Sequence, residues 1–234
     1  MKKIFLSLFA VSFCCTLFGQ SIYTTYSECP EGAVDLGMVI TREDGTWYNV
    51  YWGTCNIGAT APEERGGYFA WGETEEKDVY GWDNYAFWDK EKGDVNKYYV
   101  DVNNPWGPAI RLDLEDDVAH VRLGGKWRMP TMGEWLALRK ECDWEHEILN
   151  GVSGFRVTSR TKPENSIFLP ICGMRFGDVL YDYGGDPSAN YWSSSLCINS
   201  SNSAWYYDFS RLLYSKQQGA TYRYYGLSVR PVSE

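Results

Sequence analysis

Residues 124–135, GGKWRMPTMGEW, leave the backbone little choice. Pro130 fixes its own φ and biases Met129 towards an extended conformation. Thr131 followed three residues later by Glu134 spells a capping box, in which each side chain satisfies a backbone N–H of the other. From there TMGEWLALRKEC is expected to run as a helix. Trp135, Leu138 and Cys142 share one face, and Arg139 and Lys140 sit near the C-terminal end, where cations suit the helix dipole. The stretch reads as strand, tight turn, short amphipathic helix. It holds no good nucleophile or metal ligand, so its role is structural.

The rest of the chain is read around that unit. AVDLGMVI (33–40) alternates as a strand, and EDGTWYNVYWGTC (43–55) is an Asp-Gly turn followed by an aromatic strand. APEERGGYFAWGE (61–73) suggests a helical turn, a Gly pair and a strand over YFAW. Residues 74–110, with Trp82, Trp88 and Trp106, show no period and read as a long loop region. LDLEDDVAHVRLGG (112–125) is expected to be a short helix, with Asp113 as cap and Gly124 as stop. GFRVTS (154–159) and SIFLPICG (166–173) read as strands, and residues 178–234 as short strands joined by Ser/Asn/Gly loops. In SAWYYDF, alternation points Trp205, Tyr207 and Phe209 towards a core and Tyr206 and Asp208 outwards. The fold class expected is α+β: short twisted antiparallel strands, two or three short helices and long loops.

MKKIFLSLFAVSFCCTLFGQ has two lysines before an apolar run, the pattern of a signal peptide over 1–19. Residues 20–32 are then an N-terminal extension and 33–234 one domain. An alternative anchors the chain by lipid at Cys14 or Cys15, although Phe13 is bulky where small residues are wanted. Removing the leader takes away two of the 22 basic residues and none of the 31 acidic ones, so the formal charge moves from −9 to −11. That balance argues against nucleic acid or an anionic membrane surface as partner. No later segment is long and apolar enough to span a membrane. The expected location is the outer surface or the extracellular space. Five cysteines remain: Cys29, Cys55, Cys142, Cys172 and Cys197. Export permits disulfides: Cys172 could pair with Cys197, Cys55 and Cys142 could pair or stay as buried thiols, and an odd number leaves at least one thiol over.

Candidate chemistry is sparse. Asp113, Glu115, Asp116 and Asp117 could offer carboxylates to calcium but lack the spacing of a known loop, and acids also suit a first helical turn. Glu145-His146-Glu147 alternates as a solvated strand. His120 has no nucleophile in triad context, and Ser193-Ser194-Ser195 reads as turn or strand chemistry. No cofactor is expected beyond that calcium candidate. The aromatics, 17% of the chain with 11 Trp and 18 Tyr, carry more information. Rigid amphipathic rings beside small polar residues give contact area at low entropy cost, as in a paratope. The candidate ligand-binding residues are Tyr181, Asn190, Asn199, Tyr206, Asp208, Tyr214, Gln217 and Tyr222.

AVDLG, WGTCNIGATAPEERGGYFAWGE, LEDDVAHVRLGGKWRMPTMGEW, GVSGFRVTS, NSIFLPICG, YWSSS, AWYYDF and YRYYGLSVRPV follow one another in that order. Together they resemble the Fibrobacter succinogenes major paralogous domain, over roughly residues 33–232. The resemblance implies an exported Bacteroidetes-type protein with a C-type lectin-like fold, close to the formylglycine-generating, sulfatase-modifying type. It also implies that Trp127, Arg128, Pro130, Thr131, Glu134, Trp135 and Arg230 are scaffold. Cys172 and Cys197 lack the close spacing of the formylglycine-generating enzymes, and the EPN, QPD and WND tripeptides of calcium-dependent sugar-binding lectins are absent. The function implied is therefore binding or adhesion rather than catalysis, towards a protein or glycan at a cell surface. The Tyr/Ser/Asn-rich stretch 181–225 is similar to the variable segments written by diversity-generating retroelements. A structural subunit of a surface or fimbrial assembly, and a formylglycine-type oxidase, are the alternatives.

Overall fold

The computed structural model describes residues 28–42, 44–100, 110–182, 188–210 and 216–234, with the side chains of Ser210, Lys216 and Gln217 left out. The leader at 1–19, most of the extension, Trp106 and Tyr214 lie outside the described residues. The protein is mostly β, built from small antiparallel sheets with few helices.

The chain enters through a hairpin of β1 (Ala33–Thr41) and β2 (Trp47–Gly53). Its turn is fastened by Asp44, whose carboxylate accepts from the Thr46 backbone N–H at 2.9 Å, beside Gly45 at φ 82. YFAW forms no strand; Phe69 makes only an isolated bridge to Leu227. The region read as loop contains a 3-10 turn at Trp82–Asn84 and a two-stranded ribbon of β3 (Trp88–Asp89) and β4 (Asp94–Val95). The helix expected over 112–125 is split. A 3-10 turn at Leu114–Asp116 precedes α1 (Val118–Leu123), which is capped by Asp117 rather than Asp113. Asp117 accepts from the backbone N–H groups of Ala119, His120 and Met129, tying the helix start to the strand beside it.

Helix α2 (Met132–Glu141) carries the capping box of Thr131 and Glu134 and buries Trp135 and Leu138. It runs straight into β5 (Cys142–Leu149), which pairs with β6 (Val152–Ser159), followed by β7 (Ser166–Pro170). Leu149 and Val152 are partners across a two-residue turn with Asn150 at φ 48 and Gly151 at φ 86. Those two positive angles are what a tight hairpin needs and what Asn-Gly supplies. A small ribbon of β8 (Met174–Phe176) and β9 (Val179–Tyr181) comes next. The third three-stranded sheet is β10 (Ser188–Leu196), β11 (Ser203–Ser210) and β12 (Lys216–Tyr222). Finally β13 (Val232–Ser233) pairs with β2.

Trp135 is the hub of the larger core. Its ring stacks on Tyr207 at 5.2 Å, 3° from parallel, and lies 4.7 Å from Trp52. Three sheets therefore meet on one helix. A second cluster gathers Phe69, Trp71, Met129, Trp192, Leu227 and Val229, and a third gathers Tyr68, Tyr80, Tyr85 and Tyr224. The buried indoles keep their polar ends bonded. Trp71 donates to the Ser193 carbonyl at 2.9 Å, Trp192 to Phe69 at 2.8 Å and Trp135 to Trp192 at 3.3 Å. Threading between the clusters, residues 226–232 are hydrogen-bonded to Arg175, Phe69, Trp192, Ile57, Gly53 and Arg128.

Arg128 and Glu134 lock the start of α2. The guanidinium donates twice to the carboxylate, at 2.8 and 2.6 Å, and Glu134 also accepts from Thr131 N–H at 2.7 Å and Tyr48 Oη at 2.9 Å. Arg128 reaches Glu234 as well, at 3.0 Å. Burial pushes the Glu134 carboxyl up, but the Arg128 charge and these donors outweigh it and hold the group below its ordinary value. Burial and the neighbouring Glu134 charge push Tyr48 up to about 12. Arg230 is fully buried and donates to Asn56 Oδ1 and to the carbonyls of Gly53, Thr54 and Phe168. Pro130 and Thr131 are buried, and Trp127 is half-buried. No helix among the described residues is long and apolar enough to cross a membrane.

Removing one member of a buried charge pair strands the other, so Glu134→Ala should lower stability by about 3–5 kcal/mol in urea unfolding. Because the folded Glu134 value is depressed, its contribution is complete above the ordinary value of 4.5 and is lost as pH falls through the lower, folded value. The difference in stability between the parent and Glu134→Gln should therefore shrink on acidification below that point.

Candidate functional site

The residues expected to form a binding face do not lie together. Register places Asn190 opposite Asp208, Trp192 opposite Tyr206, Asp208 opposite Gln217 and Tyr206 opposite Gly219. Directly opposed residues share a face. That face also carries Trp192 and Ala204, both fully buried, so much of it is core. Asn190 is 1% exposed and donates to Ser188 Oγ at 3.0 Å, so it is an interior residue and not a ligand contact. Tyr206 was expected to face solvent but is half-buried, edge-on to Trp192 at 6.4 Å. Its ring fills the space above Gly219, where a Cβ would lie 2.6 Å from it. Asp208 is half-buried too, and Asn199 is exposed between β10 and β11. The alternation over SAWYYDF is real, but both faces of this sheet are covered in part. Trp205, Tyr207 and Phe209 pack on the larger core, and Tyr206 packs on the second cluster.

Tyr181 and Tyr222 belong to a different constellation, an aromatic platform. Trp82 stacks on Trp88 at 4.5 Å and meets Tyr222 at 5.8 Å and Tyr224 at 4.6 Å. Tyr222 and Tyr224 are 5.6 Å apart and nearly parallel. Tyr224 touches Phe176 at 6.0 Å, and Phe176 touches Tyr181 at 6.2 Å and Tyr225 at 5.2 Å. Tyr224 is the buried centre. Tyr222 is 49% exposed, Phe176 41% and Tyr181 37%, with Val79 and Val179 exposed alongside. Trp82, Trp88 and Tyr225 are half-buried.

Three separate segments bring these rings together. Tyr80 and Gly177 exchange backbone hydrogen bonds at 2.8 and 2.9 Å, laying residues 78–82 antiparallel to the β8–β9 ribbon. Tyr80 Oη donates to the Tyr68 carbonyl, and its ring covers Gly226, where a Cβ would lie 2.6 Å away. Asn84 closes the turn under Trp82 by donating to the Val79 carbonyl at 2.6 Å, and Lys77 donates to the Asn84 carbonyl at 2.5 Å. The platform thus stands on bonded backbone. Trp82 and Trp88 were visible in the sequence but lay in a region without periodicity, and nothing there signalled that they would meet Tyr222.

Beside the platform lies an open groove of about 830 Å³, lined by Glu63, Glu64, Arg65, Glu76, Ser153 and Asp182 among others. Ser153 Oγ is 2.9 Å from His146 Nε2, and among the described residues no carboxylate is bonded to that ring. Of the two glutamates that flank it in sequence, Glu147 is bonded to Arg156 instead. His120 Nδ1 lies 3.2 Å from the Trp127 carbonyl. Ser193 donates to the Trp205 carbonyl, and Ser195 accepts from Met132 N–H. The five cysteines are free thiols, with Cys142, Cys172 and Cys197 buried. Burial pushes the Cys142 thiol up to about 11 and raises Cys172 as well, which keeps both protonated and unreactive at neutral pH.

The calcium candidates Asp113, Glu115 and Asp116 do converge, with ligand atoms within 4.8 Å of one another. The Lys97 ammonium sits among them, 3.0 Å from Asp113, 3.1 Å from Glu115 and 2.5 Å from Asp116. Tyr98 Oη also donates to Asp116. The hydrogen bonds to Asp116, then to Asp113 and Glu115, hold the lysine well above its usual range, and Lys97 in turn holds Asp113 below its ordinary value. A protein cation is thus the counter-charge of this cluster. No protein-family model, curated protein or solved structure matches the chain.

In Lys97→Met the Asp113 carboxyl should titrate higher, returning towards the ordinary value of 3.8. Carboxyl-carbon NMR over an acid titration reads this directly, and an unmoved Asp113 would mean that Lys97 does not neutralise the cluster.

Proposed function

We propose that this protein is an exported recognition module with a C-type lectin-like fold, which presents the aromatic platform to a ligand on a protein or glycan at a cell surface. The observation that carries the reading is the platform itself. Exposed large aromatics joined into one patch are unusual on a soluble surface and mark contact sites. Tyr and Trp fixed by neighbours lose little conformational entropy on binding. The motifs that resemble the Fibrobacter succinogenes major paralogous domain support the fold, as do the short antiparallel strands around one capped helix. The leader-like residues 1–19 support export. The buried, protonated thiols and the histidines bonded to structural partners favour binding over catalysis, and the neutralised acid cluster favours a site without calcium.

The site differs from the one the Tyr/Ser/Asn-rich stretch suggests. Tyr181 and Tyr222 are retained, Trp82, Trp88, Phe176 and Tyr225 join them, and the face of Tyr206 is secondary. A binding screen against glycan and cell-surface protein arrays separates the two. Trp82→Ala and Tyr222→Ala should each weaken binding about 10–100-fold, the range of buried aromatic hot spots, with circular dichroism confirming that each variant is folded at the assay temperature. Tyr206→Ala should leave affinity nearly intact. The reverse pattern moves the site to the sheet face, and binding abolished by a chelator restores the calcium-dependent alternative.

A further inference from the structure

The rim of the platform has a definite charge. Gly177 pairs with Tyr80, which sets Asp178 beside Val79 and brings Asp78 alongside Val179. Asp83 follows Trp82 in its turn, and Asp182 follows Tyr181 and also lines the groove. All four carboxylates are exposed. Among the described residues none of them forms an ion pair. Several nearby cations are already engaged, although Lys90, exposed in the β3–β4 turn, forms no ion pair among the described residues. Lys77 is paired with Glu73, Lys92 with Asp89, and Arg175 lies over the Tyr68 ring at 5.2 Å. The groove continues the same sign through Glu63, Glu64 and Glu76, with Arg65 as its basic residue.

Resting on the recognition reading above, we infer that the occupant of the platform is a cationic peptide segment of a partner protein, with arginine or lysine side chains laid across Trp82, Tyr222 and Phe176. Three physical terms select that class. An aromatic face attracts a guanidinium or ammonium through its quadrupole, most strongly for Trp. Carboxylates without internal counter-ions raise the local cation concentration and speed encounter. A neutral sugar would use the rings but gain nothing from four acids that form no ion pair among the described residues, and an acidic ligand would be repelled by them. The interior of the protein shows the same chemistry at work, where the Arg223 guanidinium sits 4.8 Å from Trp71 and within 6 Å of Tyr85, Phe87 and Tyr98.

The test uses the full chain and three probes: a peptide alternating arginine and serine, the same peptide with citrulline for arginine, and cellohexaose. Citrulline keeps the shape and removes the charge. Affinities are read by tryptophan fluorescence titration at low and physiological salt, with circular dichroism confirming that each variant is folded. The arginine peptide should bind about tenfold or more tightly than its citrulline counterpart. A triple change of Asp78, Asp83 and Asp178 to Asn should remove most of that preference, and raising the salt should weaken it. Trp82→Ala with Tyr222→Ala, which keeps every acid, should also lose the arginine peptide. If that aromatic variant still binds it, the attraction is charge alone and the inference fails. If arginine and citrulline peptides bind alike, or cellohexaose binds and is lost in the aromatic variant, the cationic occupant is wrong while the recognition platform stands. If no probe binds, both readings fall.

Discussion

The fold is organised around one buried carboxylate. Glu134 receives the Arg128 guanidinium, the Tyr48 hydroxyl and the Thr131 backbone N–H. Each partner comes from a different place: the turn before α2, the first hairpin, and the cap of the helix itself. The arrangement fixes the angle at which the helix leaves the turn, and that angle puts Trp135 between Trp52 and Tyr207. Such a charge pair in the interior contributes little net stability compared with well-packed apolar residues. What it contributes is orientation, because a bidentate pair has only one good geometry.

The aromatic surplus of this chain serves two ends. Inside, rings fill the spaces between short strands that could not otherwise bury enough area. At the surface, the same residue types form a patch whose supports are backbone bonds and whose rings meet in stacked, tilted and edge-to-face pairs. Tyr224 belongs to both, buried in the third cluster and in contact with Trp82, Phe176 and Tyr222. The aromatic platform is therefore continuous with a core and inherits its rigidity. A rigid patch has less freedom to lose on binding, the usual advantage of preorganisation.

Local chemistry was legible in the sequence wherever it was self-contained. The capping box at Thr131 and Glu134 forms as written, and so do the hairpin at Asp44-Gly45 and the alternation over Tyr207 and Phe209. Legibility failed where a residue's fate depends on a partner far along the chain. Asn190 looked like an exposed polar residue, but it is an interior residue of β10, opposite Asp208 of β11. Tyr206 faces away from the larger core as alternation requires, yet a second cluster waits on that side. Trp82 and Tyr222 are 140 positions apart, and backbone bonds between Tyr80 and Gly177, Arg175 and Gly226, and Trp71 and Arg223 bring their segments together. The split of the helix at 112–125 has a local cause that was misread: Asp117, not Asp113, has a side chain within reach of free N–H groups.

The threading segment has a consequence for how the molecule comes into being. Residues 226–232 bond to strands and loops scattered from Gly53 to Trp192, so the two larger clusters lack part of their wall until they arrive. Loop closure over such separations is slow. The wall that residues 226–232 supply is therefore made of long-range contacts, which an unfolded chain can close only by bringing together residues far apart in sequence.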